Sequence, residues 1–319
     1  MNSDFEAVFE PQPDDYFTQL ILEGLANPQK SLPALFLYDE RGSELFEDIT
    51  QLKEYYPTRT EISLLERYAN DMASSIAPGA TIVEFGSGSS KKTPLLLNAL
   101  EFPKTYVPVD ISKEFLLASA KNLATELPHI NIMPVVGDFT QSFDMPEKAK
   151  SSCHVGFFPG STIGNFTPDE AINFLKNARQ SLGEGSLFIL GVDLIKGEDI
   201  LVPAYDDDQG VTAQFNLNVL SHLNEAYGGT FDLSKFQHIA LFNKEHNRIE
   251  MHLKALEDLK FEVAGSSFQL QKGETIHTEN SYKYSIEGVK QLAHESGWHL
   301  LVSWTDERDL FSLHMMMAK

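Results

Sequence analysis

The segment 82–93 carries the residues whose types and spacing point most directly to ligand chemistry. A short apolar run contains Glu84, and Gly86 and Gly88 alternate just before a helix-forming stretch. Glycines lack the Cβ atom that would keep a ligand away from the backbone, and the first turn of a helix leaves N–H groups without intrahelical partners. The segment therefore predicts a strand, a tight turn and a nucleotide-binding loop.

This loop departs from the dinucleotide fingerprint G-x-G-x-x-G, because Lys91 stands where the third glycine would fall. Glu84 would repel a pyrophosphate, but it suits a ligand with a positively charged amino-acid portion. S-adenosylmethionine has no phosphate and carries both a sulfonium and an α-amino group, so it fits this loop. Taken alone, the loop is equally typical of an ordinary glycine-rich turn between a strand and a helix.

Two further acids follow the next predicted strands. Asp110 ends the second strand, 22 residues after Gly88, and the third strand is followed by Gly137, Asp138 and Phe139. An acid at the position of Asp110 can accept both ribose hydroxyls, Asp138 can take the adenine amino group, and Phe139 can pack beside the base. Because parallel strands present their carboxyl ends at one edge of a sheet, the three acids predict a single cofactor crevice.

Strand and helix signals alternate from residue 81, which is typical of a parallel sheet with crossover helices. A fourth strand, 154–158, leads into a loop, and Thr167 with Glu170 predicts a capping box where the next helix begins. After residue 193 a long helix and a run of hairpins, one strand of which is expected over 261–271, predict a separate lobe.

The sheet then resumes with a helix over 286–296 and two final strands. Nearer the N-terminus, two tyrosines precede Pro57, and a residue before proline is pushed toward extended geometry. The sequence therefore predicts that the next helix begins with Thr60 as its N-cap.

Composition narrows the classes of function. Among 319 residues, 46 are acidic and 25 basic, for a formal net charge of −21. Nucleic acid and anionic membranes require a positive surface, so neither is expected as a partner. Cys153 is the only cysteine and the ten histidines fall in no ligand motif, so no disulfide and no metal are expected. The acidic N-terminus lacks an apolar signal region and no apolar run is long enough to span a bilayer, which predicts a cytoplasmic protein.

Six blocks of sequence are far more specific than the loop alone, and they lie at 36–43, 54–61, 83–89, 160–165, 204–207 and 278–281. Through these blocks the whole chain closely resembles the histidine N-alpha-methyltransferases of ergothioneine biosynthesis. The resemblance implies an α/β protein with a class I (Rossmann-like) methyltransferase sheet and a second, α+β substrate-binding lobe. It divides the chain into residues 1–60 (lobe), 61–195 (methyltransferase domain), 196–285 (inserted lobe) and 286–319 (methyltransferase domain).

The implied activity is the transfer of three methyl groups from S-adenosylmethionine to the α-amino nitrogen of L-histidine, giving hercynine. Separately, the protein is expected to act as a monomer. By matching positions, Asn165 and Tyr205 would hold the substrate carboxylate, while Gly160, Thr162 and Tyr38 would surround the amino group. Tyr55, Glu279 and Ser281 would read the imidazole, and Met251 would pack against it. The implied cofactor contacts are Gly86, Lys92, Asp110, Gly137 and Asp138.

The chemistry agrees with these roles. A neutral imidazole has one donor and one acceptor nitrogen, which an ionised Glu279 and the hydroxyl of Ser281 can satisfy from one face of a strand. Because the sulfonium is already an activated leaving group, the enzyme must mainly align the amine with the methyl carbon. The amine must also be neutral, so we expect the hydroxyl of Tyr38, or an ordered water, to help its proton leave. Tyrosine faces can stabilise the cation that accumulates.

Three alternatives remain open at this point. A related methyltransferase could act on another amino acid or amine such as a tryptophan derivative, although an indole would gain little from a carboxylate facing its ring. A nicotinamide-dependent oxidoreductase is disfavoured by the missing third glycine. A binding subunit without catalytic activity would keep the same crevice.

Overall fold

The computed structural model describes residues 8–9, 15–88, 91–150 and 153–319. Its α-helices are, in chain order, α1 (Tyr16–Ala26), α2 (Glu40–Thr50), α3 (Tyr56–Ser74), α4 (Thr93–Leu97), α5 (Lys113–Glu126), α6 (Pro168–Leu182), α7 (Glu198–Leu201), α8 (Val211–Ala226) and α9 (Ile286–Glu295). Its strands are β1 (Val8–Phe9), β2 (Lys30–Ser31), β3 (Thr81–Phe85), β4 (Thr105–Asp110), β5 (Asn131–Ile132), β6 (Val135–Val136), β7 (His154–Phe158), β8 (Leu187–Asp193), β9 (Phe236–Asn243), β10 (Arg248–Ala255), β11 (Leu259–Val263), β12 (Ser266–Leu270), β13 (Thr275–Tyr282), β14 (Trp298–Thr305) and β15 (Phe311–Ala318).

The chain packs into two units. The first contains Pro57–Ile195 and Lys283–Lys319 together with β1, and the second contains Gln12–Tyr56 and Lys196–Tyr282. The sequence analysis assigned residues 1–60 to the substrate-binding lobe, whereas β1 pairs with β6 in the large sheet of the first unit. None of the helices in the described ranges combines the length and apolar character that a membrane span needs.

A mixed sheet forms the centre of the first unit, in the order β1-β6-β4-β3-β7-β8-β15-β14, with β5 also paired to β4. In this sheet the strands β1, β6, β4, β3, β7 and β8, together with β5, run parallel to one another. Strand β15 is antiparallel to both of its neighbours, β8 and β14. From β3 the chain moves outward to β4 and β6, then returns to the other side of β3 at β7. The loop after β3 therefore lies at a topological switch point, where open α/β sheets bind ligands. This arrangement confirms the predicted class I methyltransferase sheet.

Both faces of this sheet are covered by helices. Val83 and Phe85 belong to a buried cluster with α6 and α9, whereas Ile82 and Tyr106 belong to a second cluster with α3, α4 and α5. Successive residues of a strand point to opposite faces, so a strand buried on both sides needs an almost continuous apolar sequence. That requirement explains the apolar runs from which the strands were predicted.

Several predicted boundaries are confirmed and three are wrong. Thr167 and Glu170 form the predicted capping box. Helix α3 begins at Tyr56, not after Thr60, because a proline in the first turn needs no intrahelical N–H bond. The third strand is broken into β5 and β6. The strand expected over 261–271 is instead part of the hairpin β11–β12, whose turn residues Ala264 and Gly265 both have positive φ.

A buried ion pair marks the place where the chain leaves the first unit and returns to it. The Nζ atom of Lys283 lies 2.8 Å from Oδ2 of Asp193, and both side chains are almost completely buried. The N–H of Tyr284 also donates to the carbonyl of Asp193 (3.0 Å). A buried charge requires such a partner, so this pair holds the end of β8 to the segment that precedes α9.

In the second unit a four-stranded sheet has the order β2-β13-β10-β9. The register between β10 and β13 pairs Met251 with Glu279 but His252 with His277, so Thr278 is an extra residue in β13. Such a bulge reverses the alternation of side chains on the strand that contains it. Helix α8 packs against β9 and β10, which gives the α+β lobe that was predicted.

Candidate active site

The loop after β3 holds its glycines in conformations that other residues avoid. Gly86 has φ of 65° and Gly88 has φ of 48°. A Cβ atom at Gly86 would lie 3.1 Å from the ring of Phe139. The N–H of Gly88 donates to Oδ2 of Asp110 (3.1 Å), which joins the loop to the end of β4. Glycine is thus required for both the backbone turn and the close packing.

Asp110 is the last residue of β4 and Asp138 follows β6, as predicted. Oδ1 of Asp110 accepts the N–H of Ser112 (2.9 Å), and burial raises the pKa of this carboxyl. The N–H of Gly137 donates to the backbone carbonyl of Asp110 (3.0 Å). Oδ1 of Asp138 accepts the N–H and the hydroxyl of Thr140 (2.9 and 2.7 Å). The structure therefore brings Gly88, Asp110 and Gly137 together, and the glycine-lined backbone with a carboxyl at its edge fits an adenosyl group.

Phe139 packs into an aromatic cluster, with its ring centroid 5.8 Å from that of Phe158 and 6.1 Å from that of Phe174. The same ring also limits the space at Gly86. These contacts hold the segment after β6 against the glycine loop. A further contact of Phe139 with an adenine remains a prediction.

The carboxyl of Glu84 is buried and hydrogen-bonded within the fold. Its Oε2 accepts the hydroxyls of Thr93 and Tyr106, the second at 2.5 Å. Burial raises the pKa of Glu84 to about 7. These bonds tie β3 to the first residue of α4 and to β4, and the role of Glu84 as a cofactor contact remains a prediction.

Sequence reasoning missed Glu61, which organises the loop after β7. Oε2 of this completely buried carboxylate lies 2.6 Å from Nζ of Lys92, and both oxygens accept the N–H of Gly160 at 2.9 Å. No side chain fits at Gly191, whose Cβ would lie 2.2 Å from Oε1 of Glu61. Lys92 is therefore placed beside Gly160 by Glu61, the last residue of the block 54–61 that carried the resemblance.

The residues after Gly160 form a constrained turn. Gly160 and Ser161 both adopt left-handed conformations, with φ of 81° and 58°, and Ser161 Oγ accepts the N–H of Asp193 (2.9 Å). The hydroxyl of Thr162 donates to the carbonyl of Pro159 (3.0 Å), and the 3₁₀ turn Thr162–Asn165 follows. A non-glycine residue in this conformation costs energy and tends to occur at functional sites. Gly160, Thr162 and Asn165 lie in this one turn, and their contacts with a substrate remain a prediction.

In the second unit, an aromatic group comprises Tyr38, Phe46, Tyr55, Tyr205 and Phe215. The ring centroid of Tyr38 lies 5.6 Å from that of Phe46 and 5.4 Å from that of Phe215. Tyr55 lies 6.1 Å from Phe46 and 6.2 Å from Tyr205 in edge-to-face contacts. Phe46 and Phe215 were not predicted, because isolated phenylalanines give no signal that separates them from the core.

The polar residues expected to read the imidazole lie beside this group. The hydroxyl of Tyr38 donates to Oε1 of Glu279 (3.4 Å), and the hydroxyls of Tyr205 and Ser281 are hydrogen-bonded at 2.7 Å. Met251 pairs with Glu279 across the strands, on the same face as Ser281. Burial and the charge of Glu279 raise the pKa of Tyr38 well above its ordinary value, so its phenol stays neutral.

A buried chain of hydrogen bonds connects the bulge to Tyr205. The hydroxyl of Thr278 donates to Oδ1 of Asn216 (2.6 Å), and Nδ2 of Asn216 lies 2.9 Å from Nδ1 of His238. Nε2 of His238 lies 2.8 Å from the carbonyl of Tyr205, which can only accept, so the network assigns the proton to Nε2. Burial lowers the pKa of His238, which keeps the ring neutral. Sequence reasoning did not identify this chain, because its members are far apart in sequence.

The sheet topology and the glycine loop define a class I methyltransferase that depends on S-adenosylmethionine. Residues 17–318 match the model of the family described as histidine-specific methyltransferase, SAM-dependent, and the chain belongs to this family. Its cofactor is S-adenosylmethionine.

Curated relatives share most of the chain. The histidine N-alpha-methyltransferase of Mycobacterium tuberculosis is 38% identical over 300 residues, which cover 92% of each protein. Ergothioneine biosynthesis protein 1 of Neurospora crassa is 33% identical over 90% of this chain and 33% of its own length. A 4-dimethylallyltryptophan N-methyltransferase of Aspergillus fumigatus is 29% identical over 89% of this chain and 88% of its own length.

The raised pKa of Glu84 predicts a specific dependence of stability on pH. The folded protein retains a proton at Glu84 that the unfolded chain releases above its ordinary value of 4.5. The contribution of Glu84 to the free energy of unfolding should therefore fall as the pH rises from 4.5 to about 7, and it should stay constant above that. The total decrease should be of the order of 3 kcal/mol. Chemical denaturation at about pH 5 and about pH 8 should show this loss in the wild type but not in Glu84→Gln.

The matched control is Glu66→Gln on the exposed surface of α3, which should keep the pH dependence of the wild type. Identical pH dependence in the wild type and Glu84→Gln would show that the buried carboxyl is not protonated in the folded state.

Proposed function

We propose that this protein transfers three methyl groups from S-adenosylmethionine to the α-amino nitrogen of L-histidine and so forms hercynine. The observation that carries the proposal is the pair Glu279 and Ser281, both buried on one face of β13 and hydrogen-bonded to Tyr38 and Tyr205. A buried carboxylate beside a hydroxyl matches the donor and the acceptor nitrogen of a neutral imidazole. Membership of a histidine-specific family supports the same substrate.

The first unit would hold the cofactor, which supplies an activated methyl group on a sulfonium. The proposed contacts are Glu84, Gly86, Gly88, Lys92, Asp110, Gly137, Asp138 and Phe139. Gly88 and Gly137 already converge on Asp110, whose carboxyl is suited to ribose hydroxyls. Lys92 and Gly160 are fixed by Glu61, which supports a link between the cofactor loop and the substrate loop.

We propose the substrate contacts from the chemistry of the side chains that the resemblance implies. We assign the amino group to Gly160, Thr162 and Tyr38, and the carboxylate to Asn165 and Tyr205. The imidazole is assigned to Tyr55, Glu279 and Ser281, with Met251 packed against it. The hydrogen bond between Tyr205 and Ser281 couples the carboxylate contact to the imidazole contact, so an amino acid with another side chain would disturb both.

Tyr38 is suited to pass on the proton that the amine must lose. A neutral phenol whose hydrogen is directed at Glu279 presents an oxygen lone pair to a neighbouring ammonium group. The aromatic group around it, and the nearby carboxylate of Glu279, would stabilise the positive charge that develops with each transfer. Alignment and charge stabilisation then account for the catalysis without an added acid.

Tryptophan derivatives are the second class of substrate to consider, since one relative is named for such an activity. An indole has one N–H donor and no acceptor nitrogen, so it would leave the hydroxyl of Ser281 without a ligand partner. The buried Glu279–Ser281 pair therefore favours histidine. We further propose that the protein acts as a cytoplasmic monomer without nucleic acid or membrane partners, which its net charge of −21 supports.

The decisive experiment incubates the purified protein with L-histidine and S-adenosylmethionine and follows the products by mass spectrometry. One, two and three added methyl groups should appear in succession. L-Tryptophan and 4-dimethylallyltryptophan serve as competing substrates in parallel reactions. Unmodified histidine beside an active positive-control enzyme, or faster methylation of a tryptophan derivative, would reject the proposal.

Glu279→Gln tests the imidazole contact, because the amide keeps an oxygen that can accept from Tyr38 but loses the charge. A hydrogen bond to a charged group contributes about 1.5–3 kcal/mol, so kcat/KM for histidine should fall about 10- to 100-fold, mainly through KM. Asn280→Ala is the matched control, since Asn280 pairs with Glu250 on the opposite face of β13. Steady-state kinetics that leave Glu279→Gln within about twofold of the wild type would contradict the assignment.

Tyr38→Phe tests the proton transfer, because it preserves the ring contacts with Phe46 and Phe215 and removes only the hydroxyl. Loss of a positioned proton-transfer group should lower the single-turnover rate constant of each methylation by about 10²-fold. Tyr227→Phe, in a separate aromatic contact with Phe36, should keep the wild-type rates. Unchanged rates at all three steps in Tyr38→Phe would remove this role.

A further inference from the structure

Glu250, His252 and His277 form a cluster that the proposed reaction does not use. Each of these three residues has one side-chain atom that can bind a metal. These three atoms lie within 4.8 Å of one another. Glu250 and His252 lie on β10 and His277 lies on β13. Sequence analysis expected no metal, because the three residues form no recognisable spacing motif.

The bulge at Thr278 creates this cluster. Without it, the i, i+2 relation would place His277 on the same face of β13 as Glu279. With it, His277 pairs with His252, while Glu279 pairs with Met251. The cluster therefore lies on the face of the sheet opposite to Glu279, and the two imidazole rings stack with centroids 4.7 Å apart and planes at 18°.

The surrounding hydrogen bonds orient the candidate ligand atoms. Nε2 of His277 lies 3.0 Å from the carbonyl of Glu279, which can only accept, so Nε2 carries the proton and Nδ1 keeps its lone pair. Nδ1 of His252 lies 3.1 Å from the hydroxyl oxygen of Thr275, and its Nε2 donates to Oε2 of Glu250 (3.1 Å), so a metal that binds Nε2 must displace this proton. Partners of this kind orient metal-bound histidines in known sites.

The carboxylate of Glu250 is fixed from its other side. Its Oε1 accepts hydrogen bonds from Nε and Nη2 of Arg248, at 2.7 and 2.6 Å. The same oxygen also accepts a hydrogen bond from Nδ2 of Asn243, at 2.8 Å. Oε2 is left directed at His252.

We propose that Glu250, His252 and His277 bind one divalent transition-metal ion, which clamps β10 to β13 behind the face that carries Glu279 and Ser281. Two imidazoles and one carboxylate suit Zn²⁺, Ni²⁺, Co²⁺ or Cu²⁺ far better than Mg²⁺ or Ca²⁺, which prefer oxygen ligands. Ligands of such an ion lie about 2.0–2.2 Å from it, so the three ligand atoms, which lie within 4.8 Å of one another, must move closer together when it binds. The positive charge of Arg248 lowers the affinity, but its nitrogens contact Oε1 of Glu250 and leave Oε2 to the metal.

The test uses tag-free, chelator-treated protein and ZnCl₂ or CuCl₂ as the probe. Calorimetric titration should give one saturable Zn²⁺ site per chain, and the affinity should fall at least ~10-fold in Glu250→Gln and in His277→Gln. His246→Gln is the matched control, because His246 is exposed in the turn between β9 and β10. It should bind Zn²⁺ like the wild type.

A second measurement does not depend on how the variants fold. With one equivalent of Cu²⁺, the wild-type protein should show electron paramagnetic resonance splitting from two imidazole nitrogens, and Zn²⁺ should raise its melting temperature. Absence of a saturable site, absence of the nitrogen splitting, or equal affinity in the wild type and both variants would overturn the proposal and leave Glu250, His252 and His277 as a hydrogen-bonded cluster only. None of these readouts depends on methyltransferase activity, so the proposed function is tested separately.

Discussion

Buried carboxylates can persist in a fold only when nearby groups satisfy them, and this constraint arranges the candidate site residues of each unit. Glu61 forms an ion pair with Lys92 and accepts the N–H of Gly160, and these contacts position the start of the loop after β7. Glu84 accepts hydrogen bonds from the hydroxyls of Thr93 and Tyr106, and the first of these bonds connects α4 to β3. In the second unit Glu279 accepts the hydroxyl of Tyr38. In each case the contacts that satisfy the carboxyl group also position a loop or a ring.

One extra residue in β13 has a comparable effect on the second unit. The bulge at Thr278 separates Glu279 from His277, so one face of the sheet carries the proposed histidine contacts and the other carries His252 and His277. Thr278 is itself anchored to Asn216 and to the carbonyl of Met251. Because a shift of one residue exchanges the two faces of a strand, the hydrogen bonds of Thr278 protect the register on which the proposed histidine contacts depend.

The cofactor and the substrate make different demands on the chain. An adenosyl donor needs a close backbone approach and carboxyl groups at the strand ends, which parallel strands and glycines supply in a compact stretch of sequence. An amino acid that must be recognised at its ring, carboxylate and amine needs polar groups drawn from distant segments. This difference explains why the proposed cofactor residues gave a signal in the sequence itself, whereas the proposed substrate residues were assigned mainly through the resemblance to a family.

The local pattern was sufficient for the parallel strands, the glycine loop and the capping box of α6, since each depends on neighbours within a few residues. It failed at Pro57, where a proline in the first turn is compatible with a helix, and at Ala264 and Gly265, where left-handed conformations turn one expected strand into a hairpin. The partners of Glu61, the bulge at Thr278 and the chain from Thr278 to His238 were decided only by the tertiary structure. They depend on hydrogen bonds between residues tens of positions apart, and the sequence contains no periodicity that encodes such distances.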